Sequence, residues 1–342
     1  MDKILRVQFY SLILFAASGP AFCCNKVDRE VADRLLAFQN DNGGWPKNYE
    51  WNEPLDSEIN KERLDNQGGS TIDDGATYSE IRYLSRAYHE LKDERYKIAA
   101  VKGVEYLLQA QYDNGGWPQF YPYHEEQYEK YITFNDDAMI GVMKLLRDIA
   151  EGKPEFKFVD EDMKKRAGKA VKKGIECILK CQVVVNGKKT VWCAQHDEKN
   201  FEPRKARSYE LASLSGLESV GIVYFLMEIQ HPTPEIIEAV DSAVAWFDEV
   251  KIEGLKLVIV RDKSLPEGRD RVLVKDSLAD PMWGRFYDIE TYKPIFCSRD
   301  GIPKSNLSEI SAERRNGYCW IGGWANDLLK KDYPRWKEQL KR

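Results

Sequence analysis

Two acidic pairs are the first residues in this chain that could do chemistry. Asp73 and Asp74 stand in T-I-D-D-G-A-T, and Asp136 and Asp137 in T-F-N-D-D-A-M. Each pair precedes a stretch of helical pattern. A carboxylate there can cap free N–H groups and sits well at the positive end of a helix, so capping alone is one account of both pairs. A matching second pair is more than capping requires. Two such turns on one face would make an oxygen-rich site suited to calcium. The spacing is not that of an EF-hand, so the site would be assembled from separate loops.

Arginines form the second set. Arg207 lies in F-E-P-R-K-A-R-S-Y-E beside Arg204 and Lys205. Arg285 lies in D-P-M-W-G-R-F-Y-D-I-E-T, Arg299 in P-I-F-C-S-R-D-G with Lys304 after it, and Arg314 and Arg315 in S-A-E-R-R-N-G-Y-C-W. A basic run is ordinarily a solvated face. Arginines interleaved with Trp, Tyr and Phe have a further use, because the guanidinium forks onto a carboxylate while the aromatic stacks on a ring. The net charge is −5, so a polyanionic ligand would need such a local patch or a bound cation.

These residues are carried on a repeat. Phe38 to Trp51 reads F-Q-N-D-N-G-G-W-P-K-N-Y-E-W, and Gln109 to Tyr123 reads Q-A-Q-Y-D-N-G-G-W-P-Q-F-Y-P-Y. Asn and Gly tolerate the positive φ of a tight turn, and Pro keeps the chain from re-entering a helix. Trp45 and Trp117 then have two readings, a plug that closes a helix hairpin or a platform on which a sugar stacks. Each turn follows an amphipathic helix, at Val31–Gln39 and Ile98–Gln111. A weaker third copy has a helix at Lys164–Gln182, a loop through Trp192 and His196, and a helix opening near Ala206, which puts Arg207 where an acidic pair would stand. Another helix is expected at Pro234–Val250, with short strands at Val183–Val185 and Leu255–Val260. Helical hairpins repeated in this way predict a mainly α fold, an irregular α/α toroid or barrel with a few short strands.

The composition bounds the class. Hydrophobic residues make up 43% and charged residues 31%, as in ordinary soluble proteins, and no basic tract points to nucleic acid. Residues 1–24 read as an export signal: Lys3 and Arg6, then an apolar run from Val7 to Gly19 too short to span a membrane, then small residues. The expected destination is the periplasm or the exterior, with Cys23 or Cys24 as an alternative lipid anchor. Residues 25–342 are expected to form one domain acting as a monomer. Five cysteines remain after cleavage, an odd number without zinc spacing, and are expected to serve mostly as small buried hydrophobes.

Together these motifs resemble the family ten polysaccharide lyases, which are pectate lyases. The resemblance rests on the paired Q-x-x-x-G-G-W-P turns, T-I-D-D-G-A-T, T-F-N-D-D-A-M, A-R-S-Y-E-L-A-S-L-S-G, and the R-F-Y-D-I-E-T…I-F-C-S-R-D-G…E-R-R-N-G-Y-C-W series, and covers most of residues 31–324. It implies the toroid-like fold and calcium-dependent β-elimination of polygalacturonate. It implies Asp136 and Asp137 as metal ligands, and Asp73, Asn135, Arg285, Arg299, Arg315 and Trp117 as substrate contacts. It also implies Arg207 as the base that removes the C5 proton. Physical chemistry resists that last role, since arginine normally stays protonated; stabilising the enolate-like charge is the alternative. Two other classes stay open: an α/α-barrel glycoside hydrolase using Asp73 and Asp136, and a non-catalytic glycan-binding protein.

Overall fold

The computed structural model describes residues 26–66 and 68–341. The proposed export segment, Cys23 and Cys24 lie outside them. Ten α-helices are described: α1 (Arg29–Ala37), α2 (Glu58–Asn66), α3 (Tyr78–Leu91), α4 (Glu94–Ala110), α5 (Ala138–Ala150), α6 (Glu161–Cys181), α7 (Glu218–Met227), α8 (Pro234–Glu249), α9 (Ala312–Gly317) and α10 (Tyr333–Gln339). None is long and apolar enough to cross a membrane. Helices α1, α3, α5 and α7 pack side by side in one layer, and α4, α6 and α8 form a second layer against them. The pattern of α6 shows why: Met163, Ala167, Ala170, Gly174, Cys177, Ile178 and Cys181 are buried at helical spacing, and lysines fill much of the rest.

The repeated turns brace this stack with two contacts. Tryptophan closes each hairpin from inside: Trp45 Nε1 donates to Leu35 O (2.8 Å), Trp117 Nε1 to Leu107 O (2.8 Å) and Trp192 Nε1 to Ile178 O (2.7 Å). Glutamine joins each hairpin to the next. Gln39 Nε2 donates to Gly43 O and Ala99 O, Gln111 Nε2 to Gly115 O and Ala170 O, and Gln182 Nε2 to Thr190 O and Ala239 O. Gly43 and Gly115 have positive φ, and a Cβ would strike Lys102 O at 2.4 Å and Lys173 O at 2.1 Å, so these turns require glycine.

The α/α toroid expected from the sequence is not what forms. Among the described residues 45% are helical and 14% lie in strands. The strongest helix contacts join the layers, α3 to α4 and α5 to α6; along each layer helices pack on their neighbours, and no principal contact links α7 or α8 back to α1. After α8 the pattern turns to strands. β7 (Leu255–Arg261) and β8 (Arg269–Lys275) form a hairpin. β12 (Pro303–Lys304), β11 (Pro294–Cys297), β10 (Phe286–Tyr287) and β6 (Leu214–Ser215) form a four-stranded sheet. β13 (Ile321–Gly322) pairs with β9 (Trp283–Gly284), β2 (Val184–Val185) with β3 (Lys188–Lys189), and β1 (Ile132–Thr133) with β4 (Gln195–His196), which pairs in turn with β5 (Pro203–Arg204). Met282, Phe286, Phe296, Trp320 and Ile321 make a smaller core for this region beside the main one.

The helix expected near Ala206 is also absent. That segment is a turn, with Glu210 N donating to Arg207 O and Ala206 N to Glu210 O. Leu211, Leu214 and Leu217 follow at three-residue spacing, but Leu214 and Ser215 pair with Tyr287 and Phe286 as strand, and the helix begins only at Glu218. The five cysteines of the described chain are free, four of them buried.

Candidate active site

The two acidic turns are single 3-10 turns, Asp73–Gly75 and Asn135–Asp137, leading into α3 and α5. The same backbone bond fixes both: Thr71 N donates to Trp45 O (3.0 Å) and Thr133 N to Trp117 O (3.1 Å). In this register Asp73 matches Asn135, Asp74 matches Asp136, and Gly75 matches Asp137. Asp74 (φ 50°, ψ 27°) and Asp136 (φ 50°, ψ 37°) both adopt the left-handed conformation, at a cost of roughly 1–2 kcal/mol each. Neither Thr77 nor Asp137 caps its helix with its side chain. Capping therefore does not account for the acidic pairs.

The third copy differs. Ser215 N donates to Trp192 O (2.7 Å), and Ser219 Oγ accepts from Trp192 N (3.0 Å) as Thr77 Oγ1 does from Trp45 N (2.9 Å). Thr71 to Thr77 spans six positions and Ser215 to Ser219 only four, so this copy lacks the acidic turn. Arg207 lies upstream, in the loop between β5 and β6. Its equivalence to an acidic pair does not hold.

Asp73, Asp74 and Asp136 each offer a carboxylate oxygen, and these oxygens lie within 4.8 Å of one another, a grouping able to hold a metal ion. Asp73 is buried and its Oδ1 has no hydrogen-bond partner. Lys47 Nζ bonds the other oxygen of Asp73 and approaches Asp74 Oδ2 (3.5 Å). Burial would lower the Lys47 pKa, but Asp73 and then Asp74 outweigh it and raise it. Crowding by protein, then the charge on Asp73, raises the Asp74 pKa. Asp137, expected as the second metal ligand, turns away toward α7, where a Cβ on Gly221 would meet its Oδ1 at 2.1 Å. It keeps solvent contact yet is crowded on most sides; that desolvation, then Glu218, pushes its pKa up to about 6.

Arg285 borders the cluster. It is buried, and its Nη2 serves Asn135 Oδ1 (3.0 Å), Asp136 Oδ1 (3.0 Å) and Glu218 Oε1. Its guanidinium lies 4.6 Å from the centre of the Tyr318 ring. Arg207 approaches the same ring at 5.8 Å, so one aromatic joins the two arginines. Arg207 grips Glu210 with Nε (2.7 Å) and Nη2 (2.5 Å), and Tyr318 Oη donates to Glu210 Oε1 (2.6 Å). Burial works to lower the Arg207 pKa, but Glu210 outweighs it and raises it further. The fork onto Glu210 thus favours the protonated form of Arg207.

The remaining expected contacts separate. Arg299 is exposed, pairs with Glu313 (2.9 Å) and lies 5.7 Å from the Tyr209 ring, which Arg207 also covers at 5.1 Å. Arg315 commits its guanidinium to Asp270 (2.6 and 2.7 Å) and Ile310 O. Trp117 is fully buried, so it has no ring face for a sugar; its indole is taken by Leu107 O. Lys47 and Glu218 went unremarked in the sequence. The signal for Lys47 was present: the two turns read W-P-K and W-P-Q, and the difference falls on a residue of the cluster. Glu218 had no such signal, because its partner is 67 positions away.

The pectic acid lyase family profile matches residues 39–329. No curated protein matches significantly. Among solved structures, the family 10 polysaccharide lyase from Cellvibrio cellulosa is 37% identical, with a TM-score of 0.77 over 87% of this chain and 89% of that one. A mutant of the Cellvibrio enzyme in complex with trigalacturonic acid matches with the same identity and TM-score, over 87% of this chain and 90% of that one. The matched span contains both acidic turns, Arg207, Arg285 and the tyrosine between them, and it places this chain in the pectic acid lyase family.

Proposed function

We propose that this lyase cleaves polygalacturonate by calcium-dependent β-elimination at the cluster of Asp73, Asp74 and Asp136. The observation that carries this reading is the convergence of three carboxylates, one with a buried unpartnered oxygen, beside two arginines joined by Tyr318. Hard oxygen donors of this kind suit calcium rather than a thiol- or imidazole-seeking metal. Calcium, when bound, supplies positive charge to the uronate carboxylate and so acidifies the adjoining C5–H. Asp73 and Asp74 from the first repeat and Asp136 from the second would hold the cation, while Asn135 orients Asp136 through Nδ2 (2.5 Å). Lys47 shares Asp73 and Asp74 and would have to yield part of that contact to a bound cation.

Arg207 is proposed to take the C5 proton as the C4–C5 double bond forms and the C4–O4 bond breaks, with the departing oxygen protonated from solvent; a fixed cation that only stabilises the enolate-like charge is the alternative role. Its bidentate pair with Glu210 favours the protonated form, so the base role requires that pair to loosen when substrate binds. Arg299 and Arg285 supply guanidinium edges for uronate carboxylates. The protein is proposed to be exported and to act as a monomer.

Polygalacturonate incubated with the protein tests the reading. A lyase gives an unsaturated, ultraviolet-absorbing product that requires calcium. New reducing ends without that chromophore would mean a hydrolase working through Asp73 and Asp136, and binding without either product would mean a glycan-binding protein.

A further inference from the structure

Glu218 is the first residue of α7, and its side chain is fully buried. Its Oε1 accepts from Arg285 Nη2, and its Oε2 accepts from the Ser215 hydroxyl. Ser215 Oγ accepts from Glu218 N (3.1 Å), closing a local ring that leaves the carboxylate little freedom. Arg285 is fixed as firmly. Its backbone N donates to Trp320 O (2.7 Å), its carbonyl accepts from Gly216 N (2.8 Å), and its guanidinium lies on Tyr318.

One guanidinium nitrogen thus serves two carboxylates, Glu218 and Asp136, together with the amide oxygen of Asn135. The two carboxylates compete. Glu218 is buried and Asp136 is partly exposed toward the cluster. A buried cation needs a buried counter-charge. If Glu218 did not supply it, Asp136 would have to, and its carboxylate would be drawn from the cluster into a full ion pair with Arg285.

We infer that Glu218 is a positioning residue: by neutralising Arg285 from inside the protein, it leaves the Asp136 carboxylate free to serve the acidic cluster. It acts through Arg285 and touches neither the substrate nor the cation. The inference rests on the proposed role of the cluster in cation binding.

The test is calorimetric titration of the whole protein with calcium, alongside turnover of polygalacturonate. Glu218→Gln keeps the shape and the hydrogen-bonding oxygen but removes the charge. It is expected to bind calcium about tenfold more weakly or worse, because an uncompensated guanidinium then faces the site. Its melting temperature and circular dichroism report whether it is folded. The second variant carries Glu218→Gln with Arg285→Met. Removing the cation together with its counter-charge is expected to restore calcium affinity to near the wild-type value, even where turnover stays low.

Two results overturn the inference. One is Glu218→Gln binding calcium as tightly as wild type. The other is a folded double variant that binds as weakly as Glu218→Gln, which would assign the loss to packing. If the double variant does not fold, Glu218→Gln alone decides, through its calcium affinity and the split between kcat and KM at saturating calcium: a purely structural residue lowers the folded fraction without moving the calcium midpoint. Wild-type protein that binds no calcium would overturn the proposed cation site along with this inference, which distinguishes the two failures.

Discussion

Asp74 and Asp136 share one left-handed backbone conformation at equivalent places in successive repeats, and their carboxylates meet with that of Asp73 in one cluster. Unfavourable backbone at two matched acidic residues is retained where the surrounding structure enforces it. Here the enforcing contacts are the Trp–Thr backbone bonds beneath each turn. The strain aims two carboxylates at one point, which a capping residue would not need.

Calcium dependence follows from that cluster. EDTA-treated protein is expected to lose activity on polygalacturonate, and added calcium to restore it. Asp74→Asn and Asp136→Asn should each raise the calcium needed for half-maximal activity by about tenfold or more. Product absorbance across a calcium titration measures both. Cleavage at the native rate after chelation would remove calcium from the mechanism.

Arg207 can be separated into cation and base. Arg207→Ala is expected to lower kcat by about 100-fold or more. Arg207→Lys, which keeps a charge but not the fork onto Glu210, should fall between Ala and wild type. If Arg207 is a fixed cation, the alkaline limb of the wild-type pH–rate profile persists in Arg207→Lys. A limb that disappears with the arginine would show that its proton is the one in play.

Trp117 should matter for stability and not for sugar contact. Trp117→Ala removes a fully buried indole and is expected to cost about 3–5 kcal/mol. Trp117→Phe should cost less, losing mainly the bond to Leu107 O. Thermal melts measure the loss. The KM of protein still folded at low temperature should stay near wild type, and a rise in KM without a fall in melting temperature would restore the sugar-platform reading.

His196 gives an acid limit to stability. Its Nε2 accepts from Cys193 N (3.0 Å), so Nδ1 carries the proton and faces Phe201 O (2.8 Å). Burial lowers its pKa from 6.5 to about 4. The unfolded chain therefore takes up this proton at higher pH than the folded one. The contribution is fully present above pH 6.5 and is lost as pH falls toward about 4, a change on the order of 3 kcal/mol. Denaturant melts between pH 7 and pH 4 should show it, and His196→Asn should flatten that part of the profile. Because His196 pairs with Ile132 through β1 and β4, next to the Asn135–Asp137 turn, acid is expected to loosen the cluster as well.

Much of the helical stack was legible in the sequence. The D-N-G-G-W-P turns marked the hairpin ends, and helices formed close to the expected Val31–Gln39, Ile98–Gln111, Lys164–Gln182 and Pro234–Val250. Apolar periodicity and turn glycines are local, so they survive being read one segment at a time. The matching acidic motifs were legible for the same reason, and the family resemblance rested on them. The toroid was not decided there, because closure depends on how hairpins meet each other and on where the helical pattern gives way to strands.

The working arrangement of charges belongs to the tertiary structure alone. Sequence spacing placed Arg207 at an acidic pair's position, and only the register of the third repeat, two residues shorter, removed it. It could not separate Asp137, turned toward Gly221, from Asp136, turned toward the cluster. It gave Arg285, Arg299 and Arg315 equal standing, though Arg315 spends its fork on Asp270. The physical reason is common to these cases. An ionised side chain takes its role from the charges that surround it, and those of Asp136, Arg285 and Glu218 come from three segments that only folding brings together.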